Sequence, residues 1–243
     1  MSLEDSAAVV TGASSGIGEA TAHELASRGA RVALAARSED RLASIAADLE
    51  TKHGVETLVV PTDVRDEAAV ESLFESVVDA FGGVDVLVNN AGLGRGGDVA
   101  DLSTADYRAM MDTNVDGVFF ATRAALPHLS ESDGNLIFVG SFAGQYPRPG
   151  NPVYAATKWW VRGFAHSVEA QAGPDGVGVT VVNPTEVRTA FGGDDGDSFA
   201  ERFEPGEVSE PEEIADAIGF AAAQDHSTVH EIDVYRRDKF EGW

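Results

Sequence analysis

The chain has 243 residues, 43% of them hydrophobic and 24% charged, which suits a folded protein of one large α/β domain or two small ones and excludes wholesale disorder. It contains no cysteine, so disulfide frameworks, thiolate zinc sites, iron–sulfur clusters and a cysteine nucleophile are excluded together. With 41 acidic against 17 basic residues the formal charge is -24, which argues against nucleic acid or an anionic membrane as a partner.

No apolar run approaches the ~20 residues of a membrane span, and the acidic opening, Met1 to Ser6, does not read as a signal peptide. A cytoplasmic protein is expected. The acidic charge is spread along the chain, and only Lys52, Lys158 and Lys239 are lysines, a balance that suggests a halophilic source. Hydrated carboxylates keep a protein soluble in concentrated salt, which also screens their repulsion; an ordinary acidic cytosolic protein is the alternative. Apolar runs of strand length recur at residues 7–10, 32–36, 57–60, 84–88, 136–139, 177–182 and 229–234. Most lack polar alternation, as strands buried on both faces should. Helix-period segments lie between them at 17–27, 39–49, 67–81, 105–129, 152–172 and 211–223. This alternation predicts a single doubly wound parallel sheet of about seven strands with helices on both faces, the Rossmann arrangement, across residues 1–243. The long irregular stretch 185–210, rich in Gly, Asp and Glu, is expected to be a lid.

Directly after the first strand comes Thr11-Gly12-Ala13-Ser14-Ser15-Gly16-Ile17-Gly18, opening a helix. Glycines there let the backbone turn sharply and approach a pyrophosphate, whose charge meets free N–H groups at the helix N-terminus. No lysine follows, so an NTPase phosphate loop is not matched. At the end of the second strand an acid would accept from a ribose 2′-hydroxyl, whereas an arginine accommodates a 2′-phosphate. Ala36 and Arg37 stand there, favouring NADP(H) over NAD(H), with Ser14 or Arg41 as further contacts; a solvated arginine opening a helix is the alternative.

Tyr154 and Lys158 lie four apart, on one face of a helix signalled by Asn151 as cap and Pro152 in the first turn. A phenol of pKa ~10 works as an acid or base near neutrality only if nearby positive charge favours its anion, and Lys158 can supply that charge. Alongside stand Asn89-Asn90-Ala91-Gly92 after the fourth strand, Asn114 inside a long helix, Ser141 ending the fifth strand and Asn183-Pro184 ending the sixth. The set, in this order and spacing, resembles the short-chain dehydrogenase/reductase family over essentially the whole chain.

That resemblance implies an alcohol dehydrogenase or carbonyl reductase moving hydride between nicotinamide and a secondary alcohol or ketone. In it Tyr154 exchanges a proton with the substrate oxygen, Ser141 hydrogen-bonds that oxygen, Lys158 binds the nicotinamide ribose and lowers the Tyr154 pKa, and Asn114 supports a proton-relaying water. It also implies Asp63 and Val64 at the adenine, Asn90, Ala91 and Gly92 beside the adenosine ribose, and Pro184, Val187 and Thr189 near the nicotinamide. Leu93, Phe142, Tyr146, Glu186 and Phe191 would enclose the substrate. Thr185 departs from the family's usual glycine, and its Cβ is expected to crowd the nicotinamide face or narrow the entrance. Of Trp159 and Trp160, one ring is expected to pack inward and the other at a subunit contact, in a homo-oligomer and by family habit a tetramer. Arg95 or Arg148, if facing the site, would suit a 3-hydroxy acid; as isolated arginines they read as surface. A non-catalytic NADP-binding redox sensor is the rival from another class. His226 and His230 lie in a loop and a strand, without an evident third ligand, and no metal is assigned.

Overall fold

The computed structural model describes residues 3–192 and 197–241; residues 193–196 of the expected lid lie outside the described residues. Seven strands, β1 (Ala7–Thr11), β2 (Arg31–Ala36), β3 (Thr57–Pro61), β4 (Val86–Asn89), β5 (Asn135–Val139), β6 (Gly178–Pro184) and β7 (Glu231–Val234), form one sheet. Their order is β3-β2-β1-β4-β5-β6-β7, and every pairing is parallel. The chain crosses back on itself between β1 and β4, and the carboxyl edge at such a switch point opens a crevice between diverging loops.

Side chains alternate across a strand, so one apolar run feeds two cores. Ala8 and Val10 of β1, with Val32 and Leu34 of β2, pack with Leu25, Leu42, Leu49, Ile214 and Ile218 on one face. These come from α1 (Gly16–Ser27), α2 (Glu39–His53) and α8 (Pro211–Ala222). Ala7, Val9, Ala33 and Ala35 pack on the other face with Leu73, Val77, Leu129 and Val161. Those come from α3 (Glu67–Phe81), α5 (Gly117–Ser132) and α6 (Pro152–Ala172). Each fully buried Leu, Ile or Phe contributes about 1.5–3 kcal/mol. Double-sided burial explains why the central strands show no polar alternation. β7, at the sheet edge, is only half-buried.

The expected helix over 105–129 is interrupted. It divides into α4 (Thr104–Met111), a π-turn over Asp112–Asp116, and α5. The inserted turn carries Asn114, which is almost wholly buried, and single π-turns of this kind re-aim side chains at functional positions. Asn151 does occupy the cap position of α6, but its side chain makes no capping bond.

Candidate active site

A cavity of about 950 Å³ runs along the carboxyl edge, from the glycine turn after β1 to the end of β6 and the C-terminal segment. At one end, Gly12 and Gly16 have φ of +66° and +59°, conformations that favour glycine. Gly18 has no room for a side chain: a Cβ there would lie 2.2 Å from the Gly12 carbonyl oxygen. Gly18 is thus behind the turn rather than in the cavity lining, and acts by letting α1 pack against the turn. The Asn90 amide donates to the Thr11 and Gly12 carbonyls at 2.9 and 3.2 Å, bracing the same turn. Whereas Asp66 caps α3, Ser15 makes no side-chain cap at α1, so the first-turn N–H groups of α1 remain available to an anion.

Ser14, Ser15, Ile17, Arg37, Asp63, Val64, Ala91 and Gly92 join Gly12, Gly16 and Asn90 in lining this end. Arg37 and Arg41 line it without an ion pair to any described residue. Asp63 is clasped by the Arg65 guanidinium, which holds its carboxyl below the usual range. A tight turn that a Cβ would block, an uncapped helix terminus and two available guanidiniums fit the phosphates of a dinucleotide.

At the middle, Ser141, Tyr154 and Lys158 converge although they come from the end of β5 and from α6. The Ser141 backbone N–H donates to Asn183 Oδ1 at 3.2 Å, and the Ser141 hydroxyl lies near enough to the Tyr154 phenol to favour its anion. Burial pushes that phenol up to about 12, against the opposing pulls of the Ser141 hydroxyl and the Arg148 charge. Burial also brings Lys158 down to about 8. Lys158 Nζ donates to the Val139 carbonyl at 2.8 Å and stands 5.9 Å from the Tyr154 ring centre.

Asn114 does not line the cavity. Its amide clasps Leu93, accepting from the N–H at 2.9 Å and donating to the carbonyl at 2.8 Å, and also donates to Thr157 Oγ1. Lys158 Nζ and Asn114 Oδ1 both flank the open side of Gly92, so the π-turn brings Asn114 beside Lys158.

At the far end the lining includes Leu93, Phe142, Glu186 and Phe191, while Pro184, Val187 and Thr189 also line the cavity. Tyr146 is not among them: it stacks on Phe142 at 4.4 Å and backs that wall from behind. Thr185 lines the cavity, with its hydroxyl accepting the Arg236 N–H at 3.0 Å, so it pins the C-terminal segment. Phe191 meets the Tyr154 ring at 5.7 Å, and Phe199 meets Phe191 at 5.8 Å. The start of the 185–210 stretch is held over α1, where Thr189 Cγ2 lies 3.0 Å from where a Gly16 Cβ would be.

The sequence reading missed Lys239, which folds back from beyond β7 to line the far end. No local pattern marks it; that it is one of only three lysines was the available signal. Among the described lining residues seven are Lys or Arg and two are acidic, Asp63 and Glu186, in a chain with 41 acids and 17 bases. The cavity is a basic pocket in an acidic protein. On α6, Trp159 is 47% exposed while Trp160 stacks on Phe164. His230 meets His166 and Glu231 rather than His226, and Glu231 is already taken by Arg162, Gln145 and Asn183.

A family model for short chain dehydrogenases matches residues 6–198. The chain belongs to the short-chain dehydrogenase family. An uncharacterized oxidoreductase of Staphylococcus epidermidis is 36% identical over 234 residues, covering 96% of this chain and 97% of its own. An alcohol dehydrogenase from the archaeon Thermococcus sibiricus, solved with 5-hydroxy-NADP, superposes with a TM-score of 0.88 at 34% identity, covering 95% of this chain and 96% of that one. A 3-ketoacyl-(acyl-carrier-protein) reductase from Brucella melitensis, solved with NADH, gives 0.85 at 29% identity over 96% and 98%. This member of the family is an oxidoreductase, and its solved relatives hold nicotinamide dinucleotides of both kinds. No helix among the described residues is long and apolar enough to cross a membrane.

Proposed function

We propose that this short-chain dehydrogenase is an NADP-dependent enzyme that interconverts a secondary alcohol and a ketone, with Tyr154 as general acid and base. The supporting observation is the convergence of Ser141, Tyr154 and Lys158 in a cavity whose other end is the glycine turn. A nicotinamide held beside these residues would supply the hydride acceptor for the carbinol carbon, or the hydride donor for the carbonyl carbon. Tyr154 takes the hydroxyl proton in oxidation and gives one to the carbonyl oxygen in reduction. Ser141 holds that oxygen, and Lys158 holds the ribose and, beside Asn114, passes the proton toward solvent. Gly12, Gly16 and the first turn of α1 receive the pyrophosphate, and Arg37 with Arg41 receives the 2′-phosphate, since neither is committed to a protein carboxylate. The 185–210 stretch serves as lid, excluding water over Phe191 and Phe199. Exposed Phe119 and Trp159, on α5 and α6, support a homotetramer built through that face.

A redox sensor would have no use for the Ser141–Tyr154 pair. Tyr154→Phe is expected to lower kcat at least 100-fold, with NADPH still bound; unchanged turnover of a panel of secondary alcohols and ketones would falsify the mechanism. The acidic composition supports a salt-rich cytoplasm as the working environment. A thermal midpoint that fails to rise from dilute buffer to molar KCl would count against it.

A further inference from the structure

The far end of the cavity carries charge that the reaction itself does not require. Phe142, next to Ser141 in sequence, has two cations over its ring, with Lys239 Nζ at 4.4 Å and Arg148 Cζ at 5.7 Å. Both line the cavity. Lys239 is nearly buried, and two of its interactions go to the Glu186 oxygens at 2.7 and 2.9 Å. An ammonium has three donors, so one is left. Arg148 approaches Glu186 only to 3.7 Å, and none of its five donors makes a hydrogen bond to a described residue. Arg236 also faces Glu186, at 3.8 Å, but has Asp238 as its own counter-ion at 3.2 Å. Glu186 therefore hydrogen-bonds only one of the two cations over Phe142.

The two cations are held in place. Arg148 stands between Pro147 and Pro149, which restrict its backbone and stiffen the stalk. Lys239 is set by the fold of the C-terminal segment. Thr185 accepts the Arg236 N–H, the Tyr235 hydroxyl donates to Gln145, and Phe240 packs on Tyr146 and Phe142. These cations are separate from Arg37 and Arg41, which line the cavity with the glycine turn. The Arg148 charge reaches the reacting end, where it favours the Tyr154 anion. Leu93, Phe191 and Phe199 complete the wall with apolar surface.

From this geometry we infer that the substrate carries a carboxylate a few bonds from the reacting carbon, seated by Arg148 and Lys239, so that the enzyme acts on a short hydroxy acid or its oxo acid. The inference rests on the redox reading above and narrows it. The C-terminal segment is then part of the substrate site, and Glu186 orients Lys239.

Two measurements test it at one fixed salt concentration. In the first, the NADPH-loaded enzyme reduces short 3-oxo acids and their methyl esters. The wild type is expected to favour the acids at least tenfold in kcat/KM. Arg148→Gln should lower that acid-to-ester ratio at least tenfold and Arg148→Lys should restore part of it. A wild type that favours the esters, or a ratio unmoved by Arg148→Gln, overturns the inference while leaving the redox reading intact. In the second, the protein loaded with NADP is titrated with butyrate, which cannot react, and binding is followed by calorimetry. Saturable binding that Arg148→Gln and Lys239→Gln each weaken about tenfold supports the seat even if no ketone is turned over, a result that would sink the redox reading alone. Absence of butyrate binding to the wild type overturns the seat.

Discussion

The two ends of the cavity are built by different means. The dinucleotide end is made mostly of backbone: a glycine turn, a helix terminus and the loops after neighbouring strands, all within residues 12–92. The substrate end is made of side chains drawn from the loop after β5, the start of α6, the stretch after β6 and the C-terminal segment. A backbone cradle serves any ligand with the same phosphates, so it tolerates little change and conveys little about specificity. A side-chain wall can be altered residue by residue without disturbing the sheet. The lesson is that cofactor class is readable from one end and substrate class only from the other.

The sharpest way to break this contrast is Gly18→Ala. Its Cβ would meet the Gly12 carbonyl at 2.2 Å, and overpacking of that sort costs about 1–3 kcal/mol. Dinucleotide affinity should fall at least tenfold by fluorescence titration; affinity within twofold of wild type would mean that the turn is not a rigid cradle. A change at a side chain of the same end should be milder and selective. Arg37→Ala is expected to reduce the NADPH-over-NADH ratio of kcat/KM about tenfold, the loss of one charge-assisted contact of about 1.5 kcal/mol. An unchanged ratio would remove Arg37 from the phosphate site.

The smallest effect concerns the buried ammonium between the two ends. Because burial lowers Lys158 to about 8, the unfolded chain binds more protons than the folded one between that pH and the ordinary lysine value. Stability should therefore rise with pH across that window as far as this group is concerned. Lys158→Met removes the dependence, so its thermal midpoint should exceed the wild type's by a few degrees, about 1–2 kcal/mol at this chain length, at pH 7 and converge on it by pH 10. Tyr154, raised to about 12, acts with the opposite sign above pH 10, where its contribution is lost as the solution becomes more alkaline. A constant difference between the two proteins from pH 7 to pH 10 would show that Lys158 is not desolvated.

Much of the site was legible because its residues carry local signals. The run from Thr11 to Gly18 announces a strand-to-helix turn, and the spacing of Tyr154 and Lys158 announces one helix face. The break in the long helix at Asn114 was not legible, since a π-turn adds one residue without changing the apolar pattern around it. Tyr146 looked like lining and is backing, because whether an aromatic ring faces a cavity or a neighbouring ring depends on Phe142 and Phe240 together.

Periodicity and strand-end chemistry in the sequence were enough for the parallel sheet, the dinucleotide turn and the candidate proton-transfer residues, because each depends on neighbours within a few positions along the chain. Only the folded arrangement decided that Lys239 returns to the cavity, that Lys239 and not Arg148 hydrogen-bonds Glu186, and that the Tyr154 phenol is buried. Charge balance and desolvation are sums over everything nearby in space, and residues 142, 186 and 239 become neighbours only when the sheet has brought their loops to one edge.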